Sequence, residues 1–397
     1  MPPIVSAHRG QSLSGPDAVP EGMRVDPRGL PRTLDDPALQ RLVDQVHTAC
    51  TEQRRLRIVG GASKAFLCAA APAGAASCEV LSTRPLAGIV AYEPSELVIT
   101  ARAGTPLAEV EELLARHQQY LAFEPPQFAG GATAGGMVAA GLSGPGRATR
   151  GPVRDFVLGA TLLNGRGQVL CFGGQVIKNV AGYDVARLLC GSWGTLGVVL
   201  EVSLRVSPAP VGSVTLRIAM EQNDAIRAVN QWLAAALPVD ASAWWQGMLT
   251  VRLRGANAAV QRAVSVLPGE VVEADVAGTF WEDIRNHAHA FFQHARASGV
   301  LWRVSVPPTA PAANWGDGTG ELVEWHGGLR WVHAPAPDDR IRRLAQHLGG
   351  HATLFHGDAG GVPVLTPLPQ PLARIHQRLK QAFDPAGVFH APAFAGW

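Results

Sequence analysis

The residues in this chain best placed to do chemistry are glycines gathered into tight groups. The densest group runs from Gly130 to Gly151, GGATAGGMVAAGLSGPGRATRG, where arginines are the only charged residues. A glycine inside a helix or strand costs about 0.5–1 kcal/mol relative to alanine. Such a density therefore signals a backbone that must approach a ligand closely or adopt positive φ. An anion suits both needs, because consecutive backbone N–H groups can face one concavity and hold a phosphate. A flexible linker is disfavoured, since Met137, Val138 and Leu142 interrupt the glycines and linkers are rich in Ser or charge. The ligand-facing candidates are Thr133, Ala134, Gly135, Gly136, Ala139, Ala140, Gly141, Ser143 and Gly144, with Pro126 leading into them.

A second group, Gly60-Gly61-Ala62-Ser63-Lys64, follows a short apolar run ending at Val59. Its order meets neither the Walker spacing nor G-x-G-x-x-G. Alone, it fits an ordinary strand-to-loop turn as well as a phosphate loop. A third group, Gly191-Ser192-Trp193-Gly194-Thr195-Leu196-Gly197-Val198, opens a later apolar run.

The elements that must position these groups follow from hydrophobic periodicity. Leu39, Leu42, Val43, Val46 and Cys50 fall at helical spacing, with Asp36 placed to cap. Strands are expected at Leu56–Val59, Cys78–Ser82, Gly88–Tyr92 and Glu96–Gly104. Thr105 then caps and Pro106 opens a helix whose apolar face is Leu107, Val110, Leu113 and Leu114. Phe156–Leu163 and Val169–Phe172 pair across a tight Asn164-Gly165 turn. Leu196–Val206 is the last strand before Pro208 and Pro210.

Beyond that point, strands at Val214–Ile218, Leu249–Leu253, Leu301–Val306, Leu329–Val332 and Ala352–Phe355 combine with helices at Asp224–Ala236 and Phe280–Ala297. They predict an α+β layer on an antiparallel sheet. An amphipathic helix, Pro371–Phe383, closes the chain. The expected domains are an irregular arm over 1–36, a first domain over 37–208, a smaller α+β cap over 209–369, and a tail over 370–397 that returns to the first domain.

Composition narrows the function classes. At 397 residues, 47% hydrophobic and 17% charged, the chain can build large cores and global disorder is excluded. A net charge of +2 without a basic run argues against nucleic acid as partner. Cys50, Cys68, Cys78, Cys171 and Cys190 are scattered and odd in number, which fits reduced thiols rather than a disulfide frame or a metal or iron–sulfur site in this chain. Met1-Pro2-Pro3 does not begin a signal peptide, and the longest apolar stretch, Leu188–Leu200, is too short to span a membrane. A cytoplasmic location is expected.

The glycine groups, in this order, resemble the FAD-binding (PCMH-type) domain of the vanillyl-alcohol oxidase family. Gly60 to Ser63 match that family's first phosphate turn, Thr133 to Gly136 its Thr-x-Gly-Gly turn, and Gly191 to Gly197 a turn near the flavin. Lys178-Asn179-Val180-Ala181-Gly182-Tyr183-Asp184 resembles the segment beside the flavin in the 2-hydroxy-acid branch. Phe383-Asp384-Pro385-Ala386-Gly387-Val388-Phe389 resembles the closing segment. Within the family, the likeness is to the FAD-binding subunits of bacterial glycolate oxidase. It is carried by Tyr92–Leu97, Ala101–Leu107, Phe123-Glu124-Pro125-Pro126, Asp155–Gly159 and Leu301–Pro308.

The resemblance implies a two-part FAD-binding domain with an α+β cap, and FAD as cofactor. It implies contacts from Val59 to Lys64, from the second stretch, and from Gly182, Tyr183, Gly191, Gly194, Thr195, Gly197 and Val198. Its implied partners are a second FAD-containing subunit and an iron–sulfur subunit, with contact to a membrane only through them. Ala62 and Ser63 stand where covalent-flavin relatives carry histidine, so the FAD is expected to be non-covalent. His390-Ala391-Pro392 stands where the family has Asn-Pro-Gly, and the paired-histidine metal motif of the 2-hydroxy-acid oxidising relatives is absent. His287-Ala288-His289 is expected on a helix, where such spacing diverges.

Oxidising a 2-hydroxy acid needs a cation for the carboxylate and a base for the hydroxyl proton. Arginine suits the first because its fork binds two oxygens. The candidates are Arg303 and Arg330, with His326 or His356 as base. Three readings stay open: a flavin-bearing subunit beside a catalytic partner, a self-sufficient dehydrogenase, and a scaffold that keeps flavin only structurally.

Overall fold

The computed structural model describes residues 36–69, 78–128, 130–174 and 184–390. Gly182, Tyr183, Ala391, Pro392 and nearly all of the expected N-terminal arm lie outside the described residues.

The helix Pro37–Thr51 starts where its sequence asks it to. The Asp36 carboxylate accepts from Ala38 N at 2.7 Å and pairs with Arg102 at 2.6 Å. Leu39, Leu42, Val46 and Ala49 are buried at helical spacing. They pack on Leu56 and Leu81 of a parallel strand pair, Leu56–Val59 with Glu79–Ser82, and on Leu163, Val198 and Leu200 of the adjoining sheet.

That sheet has five antiparallel strands in the spatial order Ile89–Glu93, Val98–Arg102, Val198–Arg205, Val157–Leu163, Val169–Gly173. Its second face buries Ile99, Val199, Val202 and Leu204 against the helices Leu107–Arg116 and Ala134–Ala140. The glycine-rich stretch is therefore partly helical, capped by Thr133 at one end and by left-handed Gly141 at the other.

The second sheet has eight antiparallel strands in the spatial order Glu270–Val272, Gly212–Ala219, Met248–Gly255, Val239–Trp245, Gly320–Glu324, Leu329–Ala334, Val300–Ser305, His351–His356. The helices Gln222–Ala234 and Asn257–Val266 pack with Leu216, Val251 and Leu253. The helix Ala290–Ser298 instead shares a core with Leu301, Leu322, Leu329, Trp331 and Phe355, and that core reaches Phe66, Phe128, Leu142 and Trp193 of the first half.

Several expectations need correction. Asn164-Gly165 is not a two-residue turn: Asn164 N bonds to Gln168 O at 3.0 Å, making a five-residue loop whose positive φ falls on Gly167. Gly165 is small because Asp384 lies against it. Thr105 does not cap the helix. Its hydroxyl bonds back to Arg102 O at 2.7 Å, and Pro106 takes the cap position without a side-chain bond. The expected helix Phe280–Ala297 is two helices, Ala274–Asn286 and Ala290–Ser298, broken where His287 turns left-handed at φ 57°. His287-Ala288-His289 is thus a corner rather than a helix face. The strand Val239–Trp245 escaped notice because buried Asp240 and Ser242 interrupt its apolar pattern.

Candidate functional site

The first two glycine groups meet. A Cβ on Gly60 would run into the Thr133 hydroxyl, and Gly135 packs so closely that its Cβ would lie 2.6 Å from the Ala103 Cβ. Between the turns lies a cavity of about 260 Å³. Of the expected ligand-facing residues, Val59, Gly60, Gly61, Ala62, Ser63, Lys64, Thr133, Gly135, Gly136, Ala139, Ala140, Gly194 and Gly197 line it. Arg57, Ile58, Thr83, Ala103, Trp193 and Val199 line it as well. Sequence reasoning missed these and Ala65, seven in all, because they are strand and turn residues that lie outside the glycine groups or between their glycines.

The free hydrogen-bond donors are not where glycine density alone puts them. At the start of the helix Ala134–Ala140, Ala134 N donates to Thr105 O at 3.0 Å, Gly135 N to Ala103 O at 2.9 Å and Gly136 N to Thr133 Oγ1 at 3.3 Å. In the first turn, by contrast, the N–H groups of Gly61, Ala62 and Ser63 carry no hydrogen bond among the described residues. Lys64 stands beside them with its ammonium 3.3 Å from Ser63 Oγ and 5.3 Å above the Phe128 ring, and no carboxylate among the described residues pairs with it. Burial pulls its pKa down to about 8. This turn offers donors and a cation without an anion, which fits a pyrophosphate.

The third turn closes the cavity. Trp193 takes a left-handed φ of 53° and donates its N–H to Ala139 O at 2.9 Å. Lys380 holds the turn from behind, reaching Thr195 O at 2.7 Å, Phe389 O at 2.9 Å and Asp384 at 2.5 Å. Buried Asp384 also accepts from Val388 N at 3.0 Å and Phe389 N at 2.9 Å, while His390 N extends the strand by donating to Leu56 O at 2.9 Å. Val198 is core, Ala134 is buried, Gly141 caps, and Gly191 and Thr195 shape the turn rather than line the cavity.

A second, smaller cavity sits one step along the same segment. Ala140 lines the first, and Leu142, Ser143 and Gly144 line the second with Pro126, Phe128, His287, Arg303, Glu324 and Trp331. Strand register explains the composition. Arg303 faces Trp331 across one pair and Leu322 faces Trp331 across the next, so Arg303, Glu324 and Trp331 share the sheet face turned to the FAD-type half. Burial pushes the Glu324 carboxyl up to about 8, against the Trp331 indole, which donates to it at 2.7 Å. Burial pulls Arg303 down to about 10, with Arg147 adding to the effect.

The other candidates fall elsewhere. Arg330 belongs to the opposite face of the same strand, where its guanidinium donates to Gly327 O at 2.7 Å and Ala310 O at 2.8 Å and pairs with Glu321 at 3.3 Å. All three of its guanidinium nitrogens are engaged there, and it lines neither cavity. His356 packs its ring 5.6 Å from Phe66, with Nδ1 buried and unpartnered, and lines neither cavity. His326 is held between Thr149 Oγ1 and Ser242 Oγ, each at 3.0 Å, and burial lowers it to about 4.

The two halves are clamped by a buried charge group. Glu124 takes Arg252 at 2.7 Å and Arg254 at 2.9 Å, while Arg252 and Arg150 both hold Asp240 at 2.7 Å. Burial would raise Glu124, but the two arginines overcome it and hold the carboxyl at about 2. Among the described residues no group of three His, Cys, Asp or Glu could hold a metal ion, and no helix is long and apolar enough to cross a membrane.

An α+β half with a glycine-lined cavity, followed by an antiparallel cap sheet, has the architecture of an FAD-binding protein of the vanillyl-alcohol oxidase type. The FAD binding domain family matches residues 39–173. Alkyldihydroxyacetonephosphate synthase shares the fold with a TM-score of 0.61 at 13% identity, covering 88% of this chain and 74% of that one. The glycolate oxidase subunit GlcE of Escherichia coli is 44% identical over 352 residues, 88% of this chain and 95% of that protein. The chain belongs to the GlcE family of glycolate oxidase subunits, and its cofactor is FAD. D-2-hydroxyglutarate dehydrogenase of Xanthomonas citri pv. viticola is 32% identical over 41% of this chain and 34% of that enzyme. The glycolate oxidase subunit GlcD of Bacillus subtilis is 29% identical over 55% of this chain and 45% of that protein.

Proposed function

We propose that this chain is the FAD-holding subunit of a glycolate oxidase complex, taking part in the oxidation of glycolate to glyoxylate and passing electrons to an iron–sulfur partner. The observation that carries this reading is the likeness to GlcE, which runs through both halves and 95% of that protein.

Within the chain, the free N–H groups of Gly61, Ala62 and Ser63 with Lys64 hold the pyrophosphate, and Gly136 keeps the opposite wall clear. Ala62 and Ser63 offer no histidine for attachment, so the FAD is held non-covalently. When bound, FAD supplies a two-electron oxidant. The protein's part is to keep water from the joint between the halves and to hold the Arg303 cation and the Glu324 carboxyl on the sheet face turned toward it.

Anaerobic glycolate added to the assembled complex tests this. The expected result is bleaching of flavin in the complex, and less bleaching when this chain is left out. Equal bleaching with and without the chain overturns the reading.

A further inference from the structure

The smaller cavity holds polar groups that the protein leaves unsatisfied. Arg303 makes no hydrogen bond or ion pair among the described residues. Its guanidinium lies 5.1 Å from the Trp325 ring, and Arg147, likewise unpaired, lies 4.4 Å from that ring. Glu324 is 3% exposed, and only its Oε1 is hydrogen-bonded, by Trp331. Oε2 has no partner among the described residues. Arg303 is only partly buried, and neither its nitrogens nor Glu324 Oε2 count among the buried atoms without a partner, so both groups stay open to a ligand in this cavity.

We infer that Arg303 and Glu324 form a binding site in this chain for the carboxylate and hydroxyl of a small 2-hydroxy acid, with Arg303 the cation and Glu324 Oε2 meeting the hydroxyl. The inference rests on the glycolate oxidase reading and deepens it by giving this subunit its own substrate site. Lys64 of the larger cavity sits over Phe128 of the smaller one. Leu142 follows Ala140 by two residues, at most about 7 Å of backbone. The acid thus lies next to the FAD cavity rather than on a remote surface.

Size sets the selectivity. The cavity measures about 10 Å³, room for about one water. It must widen even for a two-carbon acid, and every added methyl widens it further. Glycolate is therefore favoured over lactate and larger homologues.

Charge sets the pH dependence. The groups acting on Glu324 are Arg303, Glu124 and Arg252, and those on Arg303 are Arg147 and Glu324. The neighbouring His287 ring, stacked on Phe292 at 4.0 Å, is held neutral by burial, with a pKa of about 3. While Glu324 is neutral, Arg303 is an uncompensated cation and attracts an anion. As Glu324 ionises, near pH 8, that attraction is cancelled and affinity falls.

The test uses the full chain with its flavin bound and titrates it calorimetrically with oxamate, a planar carboxylate one non-hydrogen atom larger than glycolate that carries an amide in place of the hydroxyl and has no C–H bond to oxidise. Binding is expected at pH 7 and should weaken above pH 8. Arg303→Met should lower affinity on the order of 100-fold, and Glu324→Gln should bind at pH 7 but lose the pH dependence. If Arg303→Met does not fold, Arg303→Lys decides, with an expected loss of about tenfold from replacing the planar fork. Wild-type affinity in the arginine variants, or no oxamate binding by a chain that keeps its flavin, overturns the inference. A flavin-loaded chain that supports glycolate oxidation in the complex but binds no oxamate overturns it while leaving the proposed function standing.

Discussion

Gly61 lies so close to Gly131 that a Cβ on Gly61 would collide with the Gly131 carbonyl oxygen. The two phosphate-type turns, seventy residues apart, are therefore one object: each backbone forms the wall against which the other is set. Gly61→Ala cannot be absorbed by rotating a side chain, because the obstructing atoms are backbone. The expected outcome is a chain that purifies with little or no FAD and regains none on reconstitution, read by flavin absorbance per protein. A variant that retains a full complement of flavin would show that the turns can part without cost.

Neighbouring glycines in the second turn have different duties. Gly135 presses on Ala103, so Gly135→Val strains the packing of helix on sheet and should lower the melting temperature. Gly136 has only the Thr133 hydroxyl near it, at 3.1 Å, and otherwise faces the cavity. Gly136→Val should therefore leave the melting temperature of the flavin-free protein near wild type while abolishing FAD binding. Paired melting curves and flavin titrations of the two variants distinguish these duties, and identical behaviour would refute the division.

Lys64, if it meets the pyrophosphate as proposed, makes FAD affinity depend on pH. Its folded pKa, without an anion, is about 8, well below the usual 10.5. A pyrophosphate favours the charged form, so binding takes up a proton once the free lysine has lost its own. Affinity should be flat below about pH 8 and fall as pH rises above it. Lys64→Met should weaken binding about tenfold at neutral pH and flatten the profile. A wild-type profile unchanged to high pH would remove Lys64 from the site.

The Glu124 clamp predicts an acid response. Its folded pKa is about 2, against an ordinary value of 4.5, so the carboxyl contributes stability that is fully present above 4.5 and lost as pH falls toward 2. Breaking this buried pair with Glu124→Ala should cost about 3–5 kcal/mol in denaturant unfolding at neutral pH. The variant's stability should then change less than wild type's between about pH 5 and pH 3. Parallel losses in both proteins on acidification would assign the response to other groups.

Much of the cofactor half was legible because its signals are local. Glycine turns, the Asp36 cap and the apolar spacing of Leu39, Leu42 and Val46 are written within a few residues of one another. The cap half was less legible because its decisive relationships are registers between distant strands. Nothing near Arg330 in sequence says that it faces away from the FAD half while Arg303 faces toward it; the pairing of Leu329–Ala334 with Val300–Ser305 decides that. Glu324 looks like any acidic strand residue until Trp331 is placed against it. The left-handed His287 that divides one expected helix into two carries no glycine or proline to announce it. The free donors of Gly61 to Ser63 show only when every neighbouring N–H has been assigned a partner.

The most direct test of the account is the flavin content of the full chain purified alone, measured before and after acid precipitation. The prediction is absorbance bands near ~370 and ~450 nm, the mark of a bound flavin, from about one FAD per chain that passes into the supernatant when the protein is denatured. Flavin that stays with the precipitate would contradict non-covalent binding at Ala62 and Ser63. A chain that holds no flavin even after incubation with FAD would contradict the assignment of the cavity between Gly61 and Gly136 itself.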